Sequence, residues 1–592
     1  MGRVTAKRMD TGVRILSAGM VLSLLGATLG CEANPLREHI MRNTAFEETG
    51  FVLYVHPQGS DTELGTPEEP FRTINKAIRT FSEEGVSGEV RVAAGNYEVN
   101  YHEGTHVKLR KGVSLFGGYS SDFSERNPSE FETVIRDISS GPYREEHPRA
   151  VEAGKGITSE TIIAGFTIVG GTGQSAVGLW IEDGSPFVET CVIRGGAPSA
   201  PEDGEWSWAC GLYCVGSGAR FYQCDISGST DPAARFSTGV SITGSESSAL
   251  AECIIDGGAA TEVVEAVTVG NGSQLWLGDS RITASGASET TGVLLDDSSV
   301  TLERNRVQVG GENSDKCTGV VVNGEYGNIT NNVISCGECG EESCGVSIGP
   351  GTYSDIIGNE IAGGGGSKSV GVHITTGTEW SFLLQGNYID GGRGTTRSTS
   401  VVVGSSDGVI RNNVIHGGSS DSDDTVGIEL IDGLVDVENN TIYGGSGSDL
   451  SCALHVDGSK PEAMNNILWT GGSGDKWAVG CESEYEGAID HNLFFDWTGP
   501  MTVFEDENGV RNLSSMESYL GEDATNNVEG NPHFADIDGP DDDVDTLFDN
   551  DWRLTSQTSP AVTEGGAQRD QLDDLDGAPR TIPWSIGAYE YD

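Results

Sequence analysis

The chain has 592 residues, 85 of them glycine; only 21% are charged, yet 90 acidic residues stand against 35 basic ones, a net charge of −55. Such a surface argues against nucleic acid and against direct adsorption to anionic membranes, and it repels a carboxylate-bearing polysaccharide unless cations mediate. Glycine at this level without a Gly-x-y period marks turns and excludes collagen.

Residues 1–31 read as a targeting segment. Arg3, Lys7, Arg8 and Arg14 precede an apolar run from Ile15 to Leu29 that is short for a transmembrane span. The run ends Thr28-Leu29-Gly30-Cys31, which resembles a bacterial lipoprotein signal, although leucine usually stands where Thr28 does. The resemblance implies lipid attachment at Cys31 and a place in the bacterial cell envelope, with cleavage and simple secretion as the alternative. Residues 32–50 read as a polar tether.

From 51 to 150 the spacing predicts a cap module and the first coils of a solenoid. Tyr54-Val55 opens a strand, Gly59 to Pro70 is turn-rich, and Phe71, Ile74 and Ile78 share one face of a short helix that can cover a solenoid's open end. The segments LYVHPQGSDTELGTPEEPFRTINKAI (53–78), VRVAAGNYEV (90–99) and VSLFGGYSSDF (113–123) resemble the opening module of a family of bacterial β-helix proteins of unassigned function.

Residues 151–500 carry the repeat. Asn-x-Ile followed by glycine, as in NNVIHGG (412–418), recurs with its apolar anchor at Ile168, Ile193, Ile226, Ile255, Ile282, Val307, Ile334, Ile361, Ile389, Ile415, Ile442, Leu468 and Phe494. Ten of the twelve intervals measure 25 to 28 residues, the signature of a solenoid. Each period also holds a glycine-started β-branched run such as GVVV (319–322) and a weaker run such as LVDV (434–437), with no helical periodicity. Three short strands and three turns per coil predict an all-β fold, a right-handed parallel β-helix. The repeats resemble the pectate-lyase-like superfamily, which includes polysaccharide lyases and hydrolases as well as non-enzymatic proteins.

The residue two before the anchor is Asn at 305, 332, 359, 387, 413, 440, 466 and 492. Stacked about 4.8 Å apart, these amides can bond their neighbours above and below as a structural ladder. Cys191, Cys224 and Cys253 continue the column as packing. Cys317, Cys336, Cys339 and Cys344 crowd together and suit loop disulfides in an exported protein, with a zinc site as the sharper alternative.

Chemistry is sparse. Walker, His-Glu-x-x-His and Gly-x-Ser-x-Gly motifs are absent. A uronate lyase needs a cation to neutralise the sugar carboxylate and a base for the C5 proton. Lys368, Arg397 and Asp423 in the turns of three successive coils, with Arg393 nearby and His373 on the following strand, form the best such constellation, and solvated surface loops are the bland reading. Trp206, Trp208 and Trp477 can stack on sugar rings or fold back as lids.

Residues 501–592 read as an acidic C-terminal extension or cap. Asp536, Asp538, Asp541 and Asp543 surround a turn and could take calcium, but Leu547 stands where a calcium loop would place Glu. The segments NPHF (531–534), DWRL (551–554) and IGAYEY (586–591) resemble the C-terminal end of anchored or secreted β-helix proteins. The expectation is a non-enzymatic, adhesin-like surface scaffold that binds glycans or other cell-surface partners, with a polysaccharide lyase or hydrolase as the alternative.

Overall fold

The computed structural model describes residues 51–592 except 141–146, 199–206, 230, 312, 378–380, 497–500, 542, 568–572, 583 and 592. Three parallel sheets wind around one core in about 15 turns of about 27 residues. Within a turn, a strand of the first sheet such as Ser299–Glu303 leads to the anchor sheet at Arg306–Val309, then to a long-strand sheet at Lys316–Asn323. Each strand lies in register with its counterpart one coil on: Val300 meets Gly327, Val307 meets Ile334, and Val320 meets Val346.

All thirteen anchors form one column. Successive anchors from Ile168 to Phe494 are register partners, and none is more than 1% exposed. β-branched and apolar side chains suit this position because every coil buries it between two identical neighbours. Tyr97 and Ile135 extend the column upstream, at intervals that the repeat does not reveal.

The corner between the first and anchor sheets takes two residues. The leading one is left-handed: Asn331, Asn412, Asn439 and Asn465 have φ between 53° and 59°, and glycine takes the same place at Gly358 and Gly386. Asparagine tolerates that conformation better than most residues. The trailing residue forms the amide ladder. Asn413 Nδ2 donates to Leu384 O at 2.9 Å and to Asn440 Oδ1 at 3.0 Å, while its own Oδ1 accepts from Asn387 N and Nδ2. The ladder runs from Asn305 to Asn527. Asn527 escapes the sequence pattern because the helix Leu513–Leu520 is inserted before it. A hydroxyl column unseen in the sequence serves the corner from the long-strand sheet to the first sheet: Ser217 N donates to Ser245 Oγ, and Ser245 N to Ser273 Oγ, both at 3.1 Å.

Both ends of the solenoid are covered. Helix Ile74–Glu84, capped by Thr73 and by left-handed Gly85, buries Ile74, Ala77, Ile78 and Phe81 in the first coils. At the other end the helix Leu513–Leu520 buries Met516, and the antiparallel strand Gly509–Arg511 closes the long-strand sheet. The remaining segment folds back along the outer face of the anchor sheet. That face changes character where it is covered: its outward column reads Arg281, Arg306, Val333, Glu360, then Tyr388, Val414, Thr441, Ile467, Leu493. Tyr443, Trp469 and Ile467 pack there against Trp552, Leu554, Ile586 and Tyr589.

Candidate functional site

The outer face of the long-strand sheet holds, at its N-terminal end, a cleft of about 560 Å³ lined by cationic and aromatic side chains. Parallel register builds it. Lys108, Glu152, Trp180 and Tyr213 follow one another in a single outward column, and Arg149 heads the adjacent one, beside Val177 and Cys210. The turn before Val107–Lys108 supplies Tyr101, His102 and His106. Its backbone is fixed from three sides: Tyr101 N donates to Ser139 Oγ at 2.8 Å, Asn100 N to Thr105 Oγ1 at 2.7 Å, and Asn75 Nδ2 to Thr105 O at 2.7 Å.

Within the cleft the guanidinium of Arg149 lies between two rings, 4.8 Å from the Tyr101 centroid and 4.5 Å from that of Trp180, a cation–π sandwich that orients it. Glu152 accepts from Arg149 Nε at 2.9 Å and meets His106 Nε2 at 3.1 Å. The His106 hydrogen bond, with Arg149 beside it, holds the Glu152 carboxyl down at about 2. Nδ1 of His106, a residue 3% exposed, has no hydrogen-bond partner among the described residues. Beyond the cleft the aromatic wall continues: His147 stacks on Trp180 at 5.4 Å, and Trp208 meets Tyr213 edge-on at 5.7 Å. Burial, with Arg149 nearby, pushes the His147 imidazole below its usual range. Lys108, Arg149, His102 and His106 thus converge with a single carboxylate, in a chain of net charge −55. The sequence pattern did not find this cluster.

The residues singled out from sequence are brought together only in part. Lys368 and Arg397 are register partners on the same outer face, and His373 lies on it two columns across, beyond the Val370–Thr399 column. Arg397 continues to Asp424, where the sequence spacing had suggested Asp423, and its Nη2 crosses to Glu429 Oε1 at 2.7 Å. His455 Nδ1 lies 3.8 Å from that same oxygen. Arg393 opens the same strand as Arg397 but stands opposite Gly365 and Ser419, exposed and paired with Asp421 at 2.9 Å. Trp208 is half-buried in the aromatic wall, with Nε1 donating to Thr238 Oγ1 at 3.2 Å. Trp477 lies at the far end of the same face, and Trp206 and Cys31 fall outside the described residues.

The Asp536–Asp543 turn is held by its own carboxylates: Asp541 Oδ1 accepts from Asp543 N, Asp543 Oδ1 from Asp545 N, and Thr546 Oγ1 bridges Asp541 and Asp549. Asp536 is exposed and Asp538 half-buried. Among the described residues no group of three or more His, Cys, Asp or Glu side chains is gathered to hold a metal. Of the four crowded cysteines, Cys317 and Cys339 form a disulfide, whereas Cys336 and Cys344 remain thiols. Burial pushes Cys336 up to about 12. Cys191, Cys224 and Cys253 are buried and unbonded, as packing requires.

Residues 57–200 match the model of a family described as a protein of unknown function, DUF1565; the match includes Tyr101, His106, Lys108, Arg149, Glu152 and Trp180. No curated protein matches the chain. Among solved structures, tailspike protein 3 of bacteriophage CBA120 is similar at 11% identity over 76% of this chain, with a TM-score of 0.32; the alignment spans 62% of that tailspike's length. Pectate lyase Pel9A is similar at 12% identity over 91% of this chain and 96% of its own, with a TM-score of 0.31. The tailspike of E. coli bacteriophage HK620, solved with a pentasaccharide, is similar at 12% identity over 78% of each chain, with a TM-score of 0.37. By its three stacked sheets and the match at residues 57–200, the chain is a parallel β-helix protein of unassigned function that carries a DUF1565 segment.

Proposed function

We propose that this chain is an exported surface scaffold, tethered through a lipid on Cys31, that binds an anionic extracellular polysaccharide on its long-strand sheet without cleaving it. The observation that carries the reading is the cleft of Lys108, Arg149, His102 and His106 beside Tyr101 and Trp180. Aromatic faces take the apolar side of a sugar ring, and an oriented guanidinium takes its carboxylate or sulfate. The cations that such a polymer needs against a −55 surface are here supplied by side chains. Glu152 has a role in this arrangement: ionised and bonded to Arg149 and His106, it fixes both within the cleft it helps to line.

Affinity electrophoresis of the purified protein through gels containing alginate, pectate or dextran sulfate tests the reading. Arg149→Ala is expected to weaken retardation about tenfold, the loss of one charge-assisted contact of about 1.4 kcal/mol. Chelation with EDTA leaves retardation unchanged, because side chains make the contact. Retardation that vanishes with EDTA and ignores Arg149→Ala would sink the proposal.

A second reading, a polysaccharide lyase, draws on one observation: His106 Nε2 and Arg149 Nε meet on the same Glu152 oxygen in the cleft. It expects unsaturated uronate, read by its absorbance, released by the wild type and abolished in His106→Gln. The scaffold reading expects no such product.

A further inference from the structure

The opposite end of the same face holds a second cleft of about 450 Å³, between the Gly472–Gly474 turn and the terminal strands Thr502–Asp506 and Gly509–Arg511. Its charge is mixed but acidic on balance: Lys476 lines it 3.6 Å from the carboxylate of Asp496. Asp475 and Glu505 line it, and burial with Asp475 and Asp506 nearby raises the Glu505 carboxyl above its usual range. Its apolar surface is Trp477 and the 64% exposed Val510.

The pose of Trp477 is specific. Its strand neighbour across the outer face is Gly480, in the column that carries Val402, Glu429 and His455 in the preceding coils. A Cβ on Gly480 would lie 2.7 Å from Trp477 Cε3 and 3.4 Å from its Cζ3, so the indole leans over Gly480 into space that only glycine leaves. The half-buried ring lines the cleft with the part that remains open. Carboxylates at the rim accept hydrogen bonds from hydroxyls and oppose anions.

We infer that the Trp477 cleft is a second sugar subsite, selective for an uncharged, hydroxyl-rich ring. The inference rests on the reading of this face as a glycan surface, and it adds a site of different specificity twelve strands from the first, roughly 58 Å away at about 4.8 Å per coil. A branched polymer, or two polymers of opposite character, would engage both ends of one face.

The test uses the full mature protein in affinity gels containing galactomannan, xyloglucan or β-glucan at about 0.5 M salt, where exposed ionic contacts are screened. The wild type is expected to be retarded by one of these neutral glycans. Trp477→Ala should weaken that retardation about tenfold, the equivalent of about 1.4 kcal/mol, and Trp477→Phe should restore most of it. Gly480→Val, which keeps the indole but lifts it, should weaken it as much as Trp477→Ala. Thermal unfolding of all three variants separates binding from misfolding. Neutral retardation indifferent to Trp477→Ala and Gly480→Val, or absent in the wild type while Arg149-dependent retardation by alginate persists, overturns this subsite and leaves the first reading standing. Absence of both kinds of retardation fells the glycan reading itself.

Discussion

At the scale of single residues, Glu152 shows how a site can also be a stability determinant. Its folded value of about 2 lies below the ordinary glutamate value of 4.5. The bonds from His106 and Arg149 therefore contribute stability that is fully present above about pH 4.5 and is lost as pH falls through about 2. Acid titration followed by hydrogen exchange at residues 100–110 and 149–153 should show the wild type loosening across that window. Glu152→Gln should be looser at neutral pH and flatter across the same range; parallel curves for the two proteins would remove Glu152 from this role. The anchors and the asparagines were legible in the sequence because burial between identical neighbours admits few side chains. The cleft was not legible. Lys108, Glu152, Trp180 and Tyr213 sit in one column, yet lie 44, 28 and 33 residues apart along the chain, so insertions in the early coils hide their register.

At the scale of elements, the folded-back C-terminal segment is the least expected feature. Its acidic composition suggested an extension or cap, and in the structure it packs a core of its own against the anchor sheet. Arg580 is the hub of that contact. It is 8% exposed and donates to Ser585 O, Asn412 Oδ1, Gly587 O and Ala588 O at 2.9 to 3.1 Å, with Glu590 3.5 Å away. Removing one partner of such a buried ionic network costs about 3 kcal/mol. Arg580→Ala is expected to lower the free energy of opening of residues 574–591 by about that amount, read by native-state hydrogen exchange, with exchange in the coils before Glu360 unchanged. Uniform loosening of every coil would show that the segment and the solenoid open as one unit. The sequence holds one hint of this docking: outward anchor-sheet positions turn aromatic and aliphatic from Tyr388 onward, on a face that would otherwise meet water.

At the scale of the whole chain, charge and stacking oppose each other. A net charge of −55 repels itself along every coil, and salt screens that repulsion over about 10 Å at 0.1 M and less above it. Raising NaCl from about 0.02 to 0.5 M is therefore expected to raise the Tm of the purified protein by several degrees; a falling Tm would mean that ion pairs such as Arg304–Asp279 outweigh self-repulsion. What resists the repulsion is a ladder with a direction. From Asn305 to Asn492 each side-chain amide donates to the next asparagine toward the C-terminal end as well as to a carbonyl of the preceding coil, so the amide-to-amide bonds all run one way. Repeat proteins are ordinarily treated as chains of nearest-neighbour contacts, but aligned hydrogen bonds polarise one another. Along this corner the solenoid behaves as one polarised filament, in which each rung is strengthened by rungs it never touches.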